Sequence, residues 1–149
     1  MNWTRDESIR LSQLCILFFA LALAGLDIGF WWFARWFAWL RGLSAQAGLG
    51  IVIAFYLCSV FGWICLYRLW RLLGGLRRGQ VFVPENVTHL RGVSWCCAAV
   101  ALICLGAALC YLPFLFVAAA AAFMALIVRI VKNVFQQAIA MKDELDLTI

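Results

Sequence analysis

Apolar and polar positions in this chain do not alternate at helical or strand spacing; the apolar ones run together in four long blocks. The blocks cover about residues 9–30, 49–69, 93–111 and 113–135. Each is close to the roughly 20 residues that an α-helix needs to cross the ~30 Å hydrocarbon layer of a bilayer. A helix that is apolar on every side belongs in lipid or in a deep core, not at a water-facing surface. The pattern predicts an all-α, polytopic membrane protein, with four transmembrane helices in an antiparallel bundle. It is a single domain over residues 1–149, closing in a tail at 136–149.

The segments between the blocks refine this layout. After the first block comes "WWFARWFAWLRG", in which Trp31, Trp32, Trp36 and Trp39 stand among phenylalanines. Indoles gather where the ring sits in lipid and the N–H stays wet. Residues 29–40 are therefore expected as a short aromatic interfacial helix, or as a bent continuation of the first span. Gly74 and Gly75 are expected to end the second helix, because glycine closes helices readily. Pro84 and Glu85 suit the first turn of the third, where a missing N–H is harmless and a negative charge is favoured. "YLPF" leaves room only for a tight hairpin between the third and fourth.

Composition agrees with the pattern: 67% of the 149 residues are hydrophobic and 13% charged. An ordinary globular domain has about half and about a quarter. The net charge of +5 is a matter of topology, not of nucleic-acid binding. With four spans, residues 1–10, 68–92 and 129–149 share one side and hold ten of the twelve Lys and Arg, leaving Arg35 and Arg41 on the other. The positive-inside rule then places both termini in the cytoplasm, with the bacterial inner membrane as the expected location.

Conventional chemistry is hard to find. The seven cysteines lie inside apolar runs without a CxxC pair, so they read as small buried hydrophobes. His89 has no second metal ligand at a workable spacing, and no nucleophile–base pair or phosphate loop occurs. No catalytic residues, metal or cofactor are expected.

Three groups of residues stand out instead. Arg68, Arg71, His89, Arg91, Arg129 and Lys132 fall near one membrane boundary, either as a collar of snorkelling charges or as a pocket for an anionic headgroup or ligand. Asp27 is an acidic residue inside an apolar stretch, where a carboxylate is costly and marks a candidate site; the alternative is a cap for the aromatic helix, neutralised by Arg35. Asp143, Glu144 and Asp146 make the tail acidic, either clasping Arg77, Arg78 and Arg91 or docking a partner. Ala118 with Ala122, and Gly106 with Cys110, have the spacing that lets helices approach closely and leave a homo-oligomer open.

"GQVFVPENVTHLRGVSWC" and the closing "FQQAIAMKDELDLTI" resemble the YoaS-like family of small bacterial membrane proteins, domain of unknown function 2975 (DUF2975). The resemblance extends over the four-span layout, with the "DLT" ending as its sharpest mark; the aromatic block at 30–39 departs from it. It brings no catalytic residues. It implies a small helix-turn-helix regulator as partner, since such genes commonly neighbour those of the family. The expected function is a non-enzymatic membrane sensor or partner-binding protein in contact with membrane lipids. The alternative is a small transporter or channel, or an immunity-type protein that binds a lipid or ligand.

Overall fold

In the computed structural model, which describes residues 5–148, the chain forms four helices: α1 (Arg5–Arg41), α2 (Ala45–Arg77), α3 (Pro84–Ala107) and α4 (Phe114–Thr148). Among the described residues there is no strand. All four helices are long and apolar enough to cross a membrane. At about 1.5 Å per residue, α1 with 37 residues is about 55 Å long and α4 with 35 about 52 Å, well beyond a ~30 Å hydrocarbon layer. The protein is an integral membrane protein whose longer helices run on past the lipid.

The helices pack in chain order: α1 on α2, α2 on α3 and α3 on α4, with no other helix pair in contact among the described residues. Each neighbour is antiparallel, so the molecule has two distinct ends. The aromatic end carries the turns at 42–44 and 108–113, and the charged end carries the α2–α3 turn, the start of α1 and the end of α4. The α2–α3 register is marked by close approaches. A Cβ on Gly50 would lie 2.8 Å from Cys110 Sγ. Further along, Cys58 Sγ stands 3.9 Å from Cys104 Sγ, and the free thiols of Cys65 and Cys97 face each other. Both thiol pairs are thus seven residues apart on both helices, which fits two antiparallel helices in unbroken register.

The interior is built from small side chains. Ala54, Val87, Val93, Cys96, Cys104, Ala107 and Ala118 are buried, whereas Phe18, Phe19, Trp32, Leu102, Leu109 and Phe116 point outward. Water drives large apolar groups inward in soluble proteins, but lipid is as apolar as leucine. Close packing of small residues then holds the helices together.

Two expectations about helix ends change. Residues 29–40 are the last third of α1 with no break before them, so the aromatic block continues the first span and is not a separate interfacial helix. Phe30, Ala34 and Phe37, at helical spacing, turn toward the bundle: Phe30 stacks on Phe55 of α2 at 3.6 Å between ring centres, and Phe37 meets Tyr111 edge-on at 5.5 Å. The four tryptophans take the opposite sides of the same turns and stay exposed. The second helix also runs through Gly74 and Gly75 and ends at Arg77, before Gly79 adopts φ +79°. A glycine inside a helix costs only about 1 kcal/mol, and here Gly75 has a use. Its missing side chain admits Asn86, whose amide oxygen sits 3.1 Å from where a Cβ would be. The Asn86 side chain, 2% exposed, donates to the carbonyls of Gln80 (2.9 Å) and Val81 (2.8 Å) and so closes the α2–α3 turn.

Candidate functional site

The face between α3 and α4 opens as a groove of about 780 Å³. Its walls are Trp95 and Leu102 on α3 and Leu126 on α4. Its floor comes from Ala98, Ala101, Ala122 and Ala125, small residues that let the helices cross closely and leave the space above them empty. At the charged end the lining changes to Arg91, Arg129 and Lys132.

One hydrogen bond sets the register of these charges: Ser94 Oγ of α3 donates to the Ala125 carbonyl of α4 at 3.1 Å. Arg91 lies three residues beyond Ser94, and Arg129 four beyond Ala125, both toward the charged end. The two arginines therefore stand at one level on facing helices, with Lys132 a turn further out. Among the described residues none of the three has a carboxylate within ion-pair distance. From Arg91 to Leu102 the apolar part continues for about 16 Å along α3. Positive charge at the mouth and an apolar trough behind it are the features that fit an anionic amphiphile.

The collar expected from the sequence thus divides in two. Arg68, Arg71 and His89 lie on the α2–α3 seam instead of in the groove. The Arg68 guanidinium passes directly over Gly92, where any Cβ would collide with it, and Nη1 donates to the Thr88 carbonyl at 3.5 Å. Glu85 Oε1 is 3.6 Å from both Arg71 Nη2 and His89 Nε2, too long for hydrogen bonds but close enough to offset the Arg71 charge. Arg71 and His89 thus gather at Glu85, while Arg68 sits further along the seam at Thr88 and Gly92.

Asp27 lies 22 residues into α1, so it caps no helix. Nor does it pair with Arg35, which is about 12 Å further along α1 and lines a small crevice of about 280 Å³ with Trp31 and Val52. Its partners come from α2. Ser59 Oγ donates to Oδ1 at 2.6 Å, Trp63 Nε1 donates to Oδ2 at 2.9 Å, and the Tyr56 hydroxyl donates to the Asp27 carbonyl at 3.1 Å. Residues 56, 59 and 63 share one face of α2 by helical spacing.

The acidic tail is no loose end. α4 stays helical through Thr148, whose hydroxyl donates back to the Glu144 carbonyl at 2.7 Å. Asp143 lies about 21 Å beyond Arg129 along the same axis. Among the described residues, Asp143, Glu144 and Asp146 form no ion pair with Arg77, Arg78 or Arg91, so the electrostatic clasp is absent. A straight helix carries these carboxylates away from the loop they were expected to hold. Ile149, which closes the "DLTI" ending, lies outside the described residues.

Beside this geometry stands one comparison that decides kinship. The family described as "Protein of unknown function (DUF2975)" matches residues 30–149. The chain belongs to DUF2975. The match takes in all of α2, α3 and α4, and with them the whole groove. It also begins at Phe30, so the aromatic block at 30–39 is part of the family match and not a departure from it. No curated protein and no solved structure matches the chain.

Proposed function

We propose that this DUF2975 protein is a non-enzymatic membrane receptor. It holds an anionic amphiphile in the α3–α4 groove and relays its presence along α4 to a partner in the cytoplasm. The observation that carries this reading is the pair Arg91 and Arg129 at one level of the groove, with Lys132 beside them and, among the described residues, no carboxylate within ion-pair distance. Two guanidinium groups at one level repel each other, and an anion between them removes that cost. A phosphate or carboxylate headgroup fits the cations, and its apolar tail fits the alanine floor.

α4 supplies the output. The same helix that carries Arg129 and Lys132 continues to Thr148 and presents Asp143, Glu144 and Asp146 beyond the membrane. The distribution of Lys and Arg supports a cytoplasmic location for that segment, in a bacterial inner membrane. A small helix-turn-helix regulator is the proposed partner, its basic surface meeting the acidic end of α4. The ligand acts by favouring one arrangement of α3 against α4 over another.

The test is capture of cytosolic protein by three forms of the chain: wild type, one ending at Phe135, and Arg91→Ala/Arg129→Ala. A protein retained by wild type and lost both on truncation and in the groove variant supports the receptor. Retention that ignores both changes, or no retained protein, contradicts it.

A further inference from the structure

Among the described residues α1 contacts no helix except α2, and the side-chain hydrogen bonds that join the two in the membrane interior all run through Asp27. The depth of this residue follows from α2. Gly50 sits at the level of Cys110 in the α3–α4 turn, and Arg68 sits at the level of Gly92 near the charged end. Ser59, the Asp27 partner, is nine residues from each, or about 14 Å from either level. Gly50 and Arg68 are therefore about 27 Å apart, close to the thickness of a hydrocarbon layer, and Asp27 lies near its middle.

A carboxylate at that depth is expensive, because lipid does not solvate its charge. A neutral amide would avoid that cost but has one acceptor atom where the carboxylate has two, so it could not take the Ser59 and Trp63 bonds on separate oxygens. The surroundings fit a group that changes charge. In the ionised form both oxygens accept, and hydrogen bonds to a charged acceptor are about twice as strong as neutral ones. In the protonated form the acid must itself donate, so Ser59 Oγ has to turn from donor to acceptor, and the Trp63 bond becomes an ordinary neutral one. The other groups that face Asp27 do not replace the proton. Tyr56 is the titratable group on that face of α2, and its hydroxyl is committed to the Asp27 main-chain carbonyl. Cys58 faces Cys104 of α3, and Arg35 lies about two turns away along α1.

We propose that Asp27 is a proton-binding site in the membrane interior, and that its proton sets how firmly α1 is held against α2. Ionised, Asp27 clasps Ser59 and Trp63; protonated, it loosens the clasp and frees α1 to swing from its fixed end, the short turn at 42–44. The swing is largest at the charged end, where the start of α1 meets the end of α2 around Asp6, Ile9, Arg10 and Arg77. This site is separate from the α3–α4 groove and does not depend on what the groove binds.

The test uses the full chain in lipid nanodiscs. Nitroxide labels at Ser8 and Arg78, in a background without the native cysteines, report the α1–α2 separation at the charged end. Wild type at position 27 is expected to show a longer distance at acid than at alkaline pH, and Asp27→Asn one distance at all pH values. An equal pH response in Asp27→Asn, or a pH-invariant distance in wild type, overturns the proposal. A second measurement needs no substitution. Dicyclohexylcarbodiimide, an apolar reagent, adds to protonated carboxyls: the acid oxygen bonds to the carbodiimide carbon while the proton passes to nitrogen. An adduct mapped to Asp27 by mass spectrometry, with a yield that falls as pH rises, is the expected result. No adduct at any pH, or a yield indifferent to pH, overturns the proposal equally.

Discussion

Ser94 of α3 donates a 3.1 Å hydrogen bond to the main-chain carbonyl of Ala125 in α4, and one turn beyond it Arg91 and Arg129 come level. The bond fixes the register of the two helices. That register turns two cations far apart in sequence into the two sides of one mouth.

Filling the trough should abolish ligand uptake without disturbing the fold. Ala98 and Ala122 line the open groove, so Ala98→Leu/Ala122→Leu places new side chains in empty space. Bound anionic lipid, counted by native mass spectrometry, is expected to fall to background while the melting temperature stays within a few degrees. A variant that melts normally and still carries lipid would show that the apolar part of the groove is not used.

Gly92 gives a steric prediction. Any Cβ there runs into the guanidinium of Arg68, the far end of a flexible side chain that can swing aside. Gly92→Ala should displace the guanidinium from the Thr88 carbonyl yet leave stability within about 0.5 kcal/mol of wild type. Thermal melts of Gly92→Ala, with and without Arg68→Ala, are expected to agree within a few degrees; a large loss in the single variant that the double variant relieves would mean that the guanidinium is held rigidly between α2 and α3.

Asn86 should be the most sensitive polar position at the charged end. Asn86→Ala removes the donor to the Gln80 and Val81 carbonyls, two hydrogen bonds of about 0.5–1.5 kcal/mol each. Asn86→Asp should not rescue it, because a carboxylate cannot donate. Protease cleavage within 78–83 measures the effect directly, and cutting is expected to speed up in both variants.

The α2–α3 register can be tested through sulfur. Cys58 and Cys104 approach to 3.9 Å. With Cys58 and Cys104 as the sole remaining cysteines, diamide treatment should convert both thiols to a disulfide linking α2 to α3. Two hydrogens pass to the diamide azo bond, so the chain loses the mass of two hydrogen atoms. Cys58 paired with Cys110 as the remaining thiols should stay reduced. Equal oxidation of the two pairs would contradict the register.

Much of this molecule was legible in the sequence because its strongest signal is length. Four apolar blocks become four helices and Pro84–Glu85 starts the third, but that helix ends at Ala107, so the turn covers 108–113 and begins ahead of "YLPF". Helix ends were less legible. The Gly74–Gly75 pair and the Trp-rich block looked like breaks, yet neighbouring helices give both a packing role, through Asn86 and through Phe30 on Phe55. The candidate site was legible only as a list of cations. Helices that are apolar all round carry no periodic face, so nothing in the order of residues says that Arg129 shares a groove with Arg91 while Arg68 lies over Gly92. The partners of Asp27 were hidden for the same reason: Ser59 and Trp63 are unremarkable residues until α1 is laid against α2.

The central claim is that Arg91, Arg129 and Lys132 hold an anionic group at the mouth of an apolar groove. Native mass spectrometry of the protein, released from nanodiscs of zwitterionic lipid doped with phosphatidylglycerol, tests it most directly. Wild type is expected to retain the anionic lipid in preference to the zwitterionic one. Arg91→Ala/Arg129→Ala is expected to lose that preference by about 10- to 100-fold, in line with about 1.5–3 kcal/mol for a hydrogen bond to a charged group. Equal retention of the two lipids by wild type, or an undiminished preference in the double variant, would contradict the account.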